Sequence, residues 1–292
     1  MRKQTQAYLF AVGAVLCWST VASAFKLTLR ETDPITMLLY ASFFSAAFLL
    51  AVRFGRKRER GGGSGTPRGT AWRRSAAGGF LNPFLYYVVL FQAYDLLPAQ
   101  EAQPLNYTWP IMVVLLSAPL LGQRIRPLGF AAILVSFLGV IVISTHGNLR
   151  ELRFTNGPGA LLALGSSAIW ALYWLRNVKD PRDDAEKLAW NFVFGAAYVL
   201  VLHLALGKDL RISPRGLAGC LYIGLFEMGL AFLFWLRALR LSETSAKVSN
   251  IVFLSPFLSL FFIRSVIGER ILPSSVAGLA LIVLGIWIQR RS

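Results

Sequence analysis

Pro110, Gly122-Gln123-Arg124-Ile125-Arg126-Pro127 and Gly139 return, 146 positions later, as Pro256, Gly268-Glu269-Arg270-Ile271-Leu272-Pro273 and Gly285, with every spacing kept. Both copies lie among long apolar segments. Duplicated hydrophobic units are a common plan of membrane transporters, so the phrase bears on architecture and class of function together. Traced backward, Leu9, Ala11, Gly13 and Trp18 return as Leu161, Ala163, Gly165 and Trp170. The duplication therefore divides the chain into 1–146 and 147–292.

Composition agrees with this plan. Of 292 residues, 55% are hydrophobic and 15% charged, where a soluble domain carries about 25% charged residues. Such a chain cannot cover its surface with polar groups and needs lipid as its solvent. The net charge is +16, from 30 Lys and Arg against 14 Asp and Glu. A basic stripe on one surface would suggest nucleic acid. Here the basic residues stand between apolar runs, where they set topology and meet anionic lipid, so no nucleic-acid partner is expected. Cys17 and Cys220 both lie in apolar segments, and His146 and His203 are isolated. Neither a disulfide framework nor a metal site fits that spacing, and no cofactor is expected. Phosphate-loop, dinucleotide, zinc-protease and serine-hydrolase motifs are absent from the sequence, so the chain does not read as an enzyme. The first apolar stretch runs on as a full span without a small-residue cleavage site, so no cleavable leader is expected.

A span needs about 20 mostly apolar residues. Stretches at roughly 6–27, 34–54, 75–96, 99–120, 127–145, 158–177, 186–206, 214–238, 244–266 and 272–289 qualify. The connection from Gly55 to Arg74 holds Gly61-Gly62-Gly63-Ser64-Gly65, a flexible linker. Lys and Arg gather on the side of the N-terminus, at Arg2, Lys3, between Arg53 and Arg74, and at Arg124, Arg126, Arg176, Arg237, Arg290 and Arg291. That bias places both termini in the cytoplasm. Five spans per half is an odd number, so the halves run in opposite senses, with the Gly122 turn inside and the Gly268 turn outside. The expected fold class is an all-α polytopic membrane protein, with ten transmembrane helices forming two inverted five-helix repeats.

Charges inside a span cost about 2.5–3.5 kcal/mol each on insertion scales. Glu227 lies near the middle of its span, and Asn82 is its mate in the repeat. Glu227 either holds an amine or a proton, or is a structural carboxylate bonded to a neighbouring helix; both readings stay open. Lys26 and Arg264 are read as reaching to the interface. The stretch Glu101-Ala102-Gln103-Pro104-Leu105-Asn106-Tyr107-Thr108-Trp109-Pro110 is unusually polar for a span. Each proline removes a helix hydrogen bond, and broken backbone at membrane depth needs protein or a water-filled cavity beside it. Asn106 and freed carbonyls then suit an ammonium group; a plain proline kink is the alternative. Aromatics recur within spans, at Trp18, Tyr86, Tyr87, Tyr107, Trp109, Trp170, Tyr173, Trp174, Phe232 and Trp235. They read either as interfacial belts or, for the mid-span repeat mates Trp18 and Trp170, as walls for a planar or cationic ligand.

The paired halves, each closed by a Pro-x11-Gly-Glu-x-x-x-Pro phrase, resemble the drug/metabolite transporter superfamily with two EamA domains. The resemblance spans the whole chain. Gly268-Glu269 fits the phrase; the first copy has Gln123 in the acidic position. Trp18-Ser19-Thr20, Asn106-Tyr107-Thr108-Trp109-Pro110 and Ile169-Trp170-Ala171-Leu172-Tyr173 are similar to the YddG-type aromatic amino-acid exporters. The resemblance implies a transporter of the bacterial inner membrane that exports aromatic and other apolar amino acids. It further implies that spans 1, 3, 4, 6, 8 and 9 enclose a central cavity and that spans 5 and 10 stand apart. On this reading Trp18, Tyr86, Asn106, Tyr107, Trp109, Trp170, Tyr173 and Glu227 bind substrate, and Pro110 and Pro256 act as hinges. The partners are a small molecule and the lipid bilayer. Purines, cationic compounds or another small metabolite are the alternative cargo.

Overall fold

The computed structural model describes residues 3–59, 69–109, 111–112, 115–116, 127–148, 155–178, 180, 182–242 and 251–289. Every regular element among them is helical. In chain order these are α1 (Lys3–Leu29), α2 (Pro34–Glu59), α3 (Thr70–Leu96), α4 (Ala99–Asn106), α5 (Pro127–Ser144), α6 (Gly157–Val178), α7 (Asp184–Ala205), α8 (Pro214–Ala238), α9 (Leu254–Ile267) and α10 (Pro273–Gln289). By length and composition, α1, α2, α3, α6, α7 and α8 each suffice to cross a bilayer, while α5, α9 and α10 are shorter and apolar.

The helix starts follow from local chemistry. Asp33, before Pro34, accepts the Ile35 and Thr36 amides at 3.0 and 3.3 Å. Asn156 accepts from Gly159 N at 2.8 Å, Asp183 from Ala185 N at 3.0 Å, and Ser213 from Gly216 N at 3.0 Å. Short polar side chains at these positions satisfy amides that the first helical turn leaves unpaired. Although burial works against its charge, Asp33 is held below the usual carboxylate range by the Thr36 hydroxyl, the Lys208 ammonium and these amides. Gly268, at φ 79°, ends α9 in a left-handed conformation that favours glycine.

One expectation needs revision, and another gains a contact. The stretch 99–120 does not begin as one uninterrupted helix: α4 ends at Asn106 and the chain turns through Tyr107 and Thr108, with Thr108 Oγ1 bonded to the Leu105 carbonyl at 2.7 Å. Lys26, expected to reach to the interface, meets the end of a neighbouring helix. Its Nζ donates to the Tyr94 and Leu97 carbonyls at 2.6 and 2.9 Å, at the end of α3, because those carbonyls have no further helical turn to accept. Pro110, and the Gly122–Arg126 copy of the phrase, lie outside the described residues.

Repeat symmetry appears in the backbone contacts. A Cβ on Gly79 of α3 would meet Asn191 O and Gly195 N of α7; one on Gly224 of α8 would meet Ala41 O and Ser45 N of α2. The same holds for α5 and α10, where a Cβ on Gly139 would meet Gly278 O and one on Gly285 would meet Ala132 O. In each set the two contacts exchange equivalent helices of the two halves, as a pseudo-two-fold relation requires. α5 and α10 pack chiefly on each other and reach the rest mainly through α4, whereas α1 packs on α8 and α9, α2 on α7 and α8, and α3 on α6 and α7.

Candidate functional site

A central cavity lies between the halves. Its walls come from α1 (Trp18, Val21, Phe25), α3 (Tyr86, Leu90, Tyr94), the α4 segment (Gln103, Asn106, Tyr107, Trp109), α6 (Trp170, Trp174), α8 (Glu227, Trp235) and Val252, just before α9. The empty volume is about 610 Å³ with the mouth included, but the centre of a water-sized sphere fits in only about 50 Å³. A drug-sized ligand needs roughly 300 Å³ or more. The cavity is therefore contracted, and a bulky ligand fits only when its walls separate.

The aromatic walls interlock. Trp18 and Trp235 lie 5.6 Å apart, Tyr86 and Trp170 4.8 Å, and Trp170 and Trp174 5.9 Å, measured between ring centroids. Behind them runs a polar layer. Tyr86 donates to Asn106 Oδ1 at 3.3 Å, and Asn106 Nδ2 donates to Ser166 Oγ at 2.8 Å. Tyr87 donates to Glu227 Oε1 at 3.2 Å. The Ser259 hydroxyl donates to Gln103 Oε1. Among the described residues, Glu227 Oε2 and Gln103 Nε2 on this wall have no partner. One is an acceptor and the other a donor, and both belong to buried side chains. Leaving such groups unmade costs about 1–3 kcal/mol apiece, more where charge is involved. A ligand with an ammonium and an oxygen anion would satisfy both.

Glu227 sits in a wide helical turn, Ile223–Leu230, and its repeat mate Asn82 in another, Phe80–Leu85, where Asn82 leaves helical geometry at φ −151°, ψ 121°. A wide turn inserted in a helix commonly marks a functional position. Asn82 is fully buried with both amide atoms unpartnered.

The two halves are tied together at the start of α4. Glu269, from the second copy of the phrase, accepts Ala99 N at 3.1 Å and Gln100 N at 3.3 Å, capping α4 of the first half. Gln100 in turn donates to Arg270 O at 2.9 Å and accepts Leu272 N at 2.9 Å and Ser275 Oγ at 3.0 Å. Nearby, His146 Nε2 lies 2.7 Å from Glu101 Oε1 and 2.8 Å from Thr155 Oγ1. The sequence places no partner beside His146; its partners come from distant positions.

Trp18, Tyr86, Asn106, Tyr107, Trp109, Trp170 and Glu227 all line this one cavity. Tyr173 does not. It lines a separate crevice between α3, α6 and α7, with its ring 6.0 Å from Trp170. Asn106 lines the cavity with each amide end engaged once, so it also orients Tyr86. Pro256 is buried within α9. Sequence reasoning missed Gln103 as a site residue, although it lies in the polar stretch before Pro110. Val21, Phe25, Leu90, Tyr94 and Val252 carried no signal beyond apolarity.

Comparison with known proteins agrees with this architecture. The model of the EamA-like transporter family matches residues 5–145 and again 157–290. An aromatic amino acid exporter YddG of Ancylobacter novellus is 27% identical over 233 residues, covering 80% of this chain and 79% of that protein. An uncharacterized transporter of Archaeoglobus fulgidus is 24% identical over 270 residues, covering 91% of each. A crystal structure shares the fold at TM-score 0.68 and 24% identity, covering 97% of this chain and 98% of that one. With two matching copies and several apolar helices, this multi-pass membrane protein belongs to the EamA-like transporter family.

Proposed function

We propose that the chain exports aromatic and other apolar amino acids across the bacterial inner membrane. On this reading ten spans form two inverted repeats, 1–146 and 147–292, with both termini cytoplasmic. Cargo occupies the central cavity, and the halves exchange arrangements to expose it to one face and then the other. One observation carries the reading: aromatic walls share a cavity with an unpaired acid oxygen, Glu227 Oε2, and an unpaired amide donor, Gln103 Nε2. The cargo's ammonium meets Glu227 and its carboxylate meets Gln103. Its ring lies among Trp18, Tyr86, Tyr107, Trp109 and Trp170, where ring stacking and cation–π attraction act together. The pseudo-two-fold glycine contacts support alternation, Pro110 and Pro256 serve as its bend points, and the Ancylobacter relative supports the cargo class.

A second reading has its own support. Glu227 is the only Asp, Glu, Lys or Arg lining the cavity among the described residues, which favours an organic cation lacking a carboxylate. Counterflow of labelled tryptophan in proteoliposomes tests the first reading directly. Flux is expected in the wild type, with Trp18→Ala, Trp109→Ala and Trp170→Ala each lowering apparent affinity. Unchanged kinetics in all three would remove this cavity as the cargo site. Competition by unlabelled cations and purines, without competition by amino acids, would favour the second.

A further inference from the structure

We propose that the crevice between α3, α6 and α7 is an oxyanion subsite, filled by the carboxylate of cargo on its way to the central cavity. This deepens the amino-acid reading and rests on it. The crevice is the roomier space, about 370 Å³ against about 50 Å³ in the central cavity. Its charge balance is positive. Arg74 on α3 and Arg176 on α6 are exposed and line it. The one acid in its wall, Asp180, is committed to Arg182: Nε donates at 3.0 and 3.1 Å and Nη2 at 2.7 Å. Two guanidiniums thus remain for an incoming anion, and guanidinium is the side chain best shaped for a carboxylate or phosphate.

The back of the crevice is a built polar surface. Asn191 is 4% exposed. Its Nδ2 lies 3.3 Å from the Tyr173 hydroxyl, while Oδ1 has no partner among the described residues. Turning the amide lets the Tyr173 hydroxyl donate to Oδ1 and frees Nδ2 as a donor. In either orientation one end is unsatisfied, and an anion satisfies it in the second. Gly78 makes the space: a Cβ there would lie 2.7 Å from the Asn191 amide. Asn177, also buried, completes the polar lining.

Position links the two spaces. Tyr173 in the crevice wall and Trp170 in the cavity wall are 6.0 Å apart on one helix. The cavity offers a carboxylate only neutral donors, since no Lys or Arg lines it among the described residues. The crevice supplies the cationic partners that the cavity lacks. An anionic lipid headgroup has the same chemistry, so the test separates the two sources.

The test uses the full chain in phosphatidylcholine vesicles, with and without phosphatidylglycerol. Tryptophan carries the carboxylate and tryptamine lacks it. Losing one charge-assisted contact is expected to raise the tryptophan KM about tenfold in Arg176→Ala and in Asn191→Leu, with a smaller change for tryptamine. Equal changes for both compounds, or no change for either, overturn the proposal. An effect confined to phosphatidylglycerol vesicles also overturns it, because the anion would then be lipid. Indole-3-propionate binding, followed by intrinsic fluorescence of the purified protein, is independent of transport. A wild type that binds it but does not move tryptophan would refute the amino-acid reading while leaving the subsite standing. An Arg176→Ala variant that binds it as tightly as the wild type would refute the subsite itself.

Discussion

Glu227 and Gln103 face the same cavity from opposite halves, each with one unpaired atom. Glu227 was legible in the sequence, because an acid in the middle of an apolar span is costly enough to need a reason. Gln103 was not. Its free donor exists because Ser259 takes the other end of the amide, 156 positions away. No local pattern carries that pairing. Asn106 shows the converse: its polarity was legible, but its commitment to Tyr86 and Ser166 depends on helices meeting. The sharpest single-residue consequence concerns charge. Glu227→Gln keeps size and the Tyr87 contact while removing the anion. A lost hydrogen bond to a charged group is worth about 1.5–3 kcal/mol, so tryptamine affinity is expected to fall about tenfold or more. Indole has no ammonium and should bind nearly as before. Equilibrium binding of both compounds checks this, and an equal loss for both would make Glu227 structural.

Among the elements, the helix starts were readable as short polar residues beside proline or glycine, as at Asp33-Pro34, Asn156-Gly157-Pro158 and Ser213-Pro214. The wide turns in α3 and α8 were only half legible: Asn82-Pro83 and Glu227 mark the positions, but nothing local says that the helix widens there instead of ending. The most consequential element-level finding is the reach of Glu269. In sequence it closes a turn between α9 and α10; in the fold it crosses to the first half and caps α4. A carboxylate there both accepts two amides and complements the positive end of the helix. Glu269→Gln preserves shape but drops the charge, and is expected to cost about 1 kcal/mol of stability. Thermal unfolding in detergent would show it, and a midpoint unchanged from wild type would mean the cap carries no weight. Asp33 gives a signed pH effect. Its folded carboxylate is depressed by the Thr36 and Lys208 contacts, against the opposing effect of burial. Its contribution is therefore complete above the unfolded value, near pH 3.9, and is lost as pH falls through the lower folded value. Asp33→Ala should cost about 1 kcal/mol at neutral pH, and the gap to wild type should narrow only below about pH 4.

At the scale of the molecule, the duplicated phrase predicted two related halves, and the symmetric glycine contacts realise them: Gly79 against α7 mirrors Gly224 against α2, and Gly139 against α10 mirrors Gly285 against α5. What the sequence could not supply is the depth of this closeness. Only the fold brings Gly285 against Ala132 O, with Ser136 Oγ bonded to Ile282 O at 3.3 Å. On the proposed count of five spans per half, a two-fold relation inverts one half against the other and puts repeat mates on opposite faces of the membrane. That consequence can be checked without any cargo. In a chain with Cys17→Ser and Cys220→Ser, a single cysteine is placed at Gln123 or at its neighbouring phrase position in the second copy, Arg270. A membrane-impermeant maleimide applied to intact cells is expected to label Arg270→Cys and not Gln123→Cys; permeabilised cells should label both. Labelling of both sites from outside would put the two turns on one face, and the halves would then be parallel repeats with a different mode of alternation.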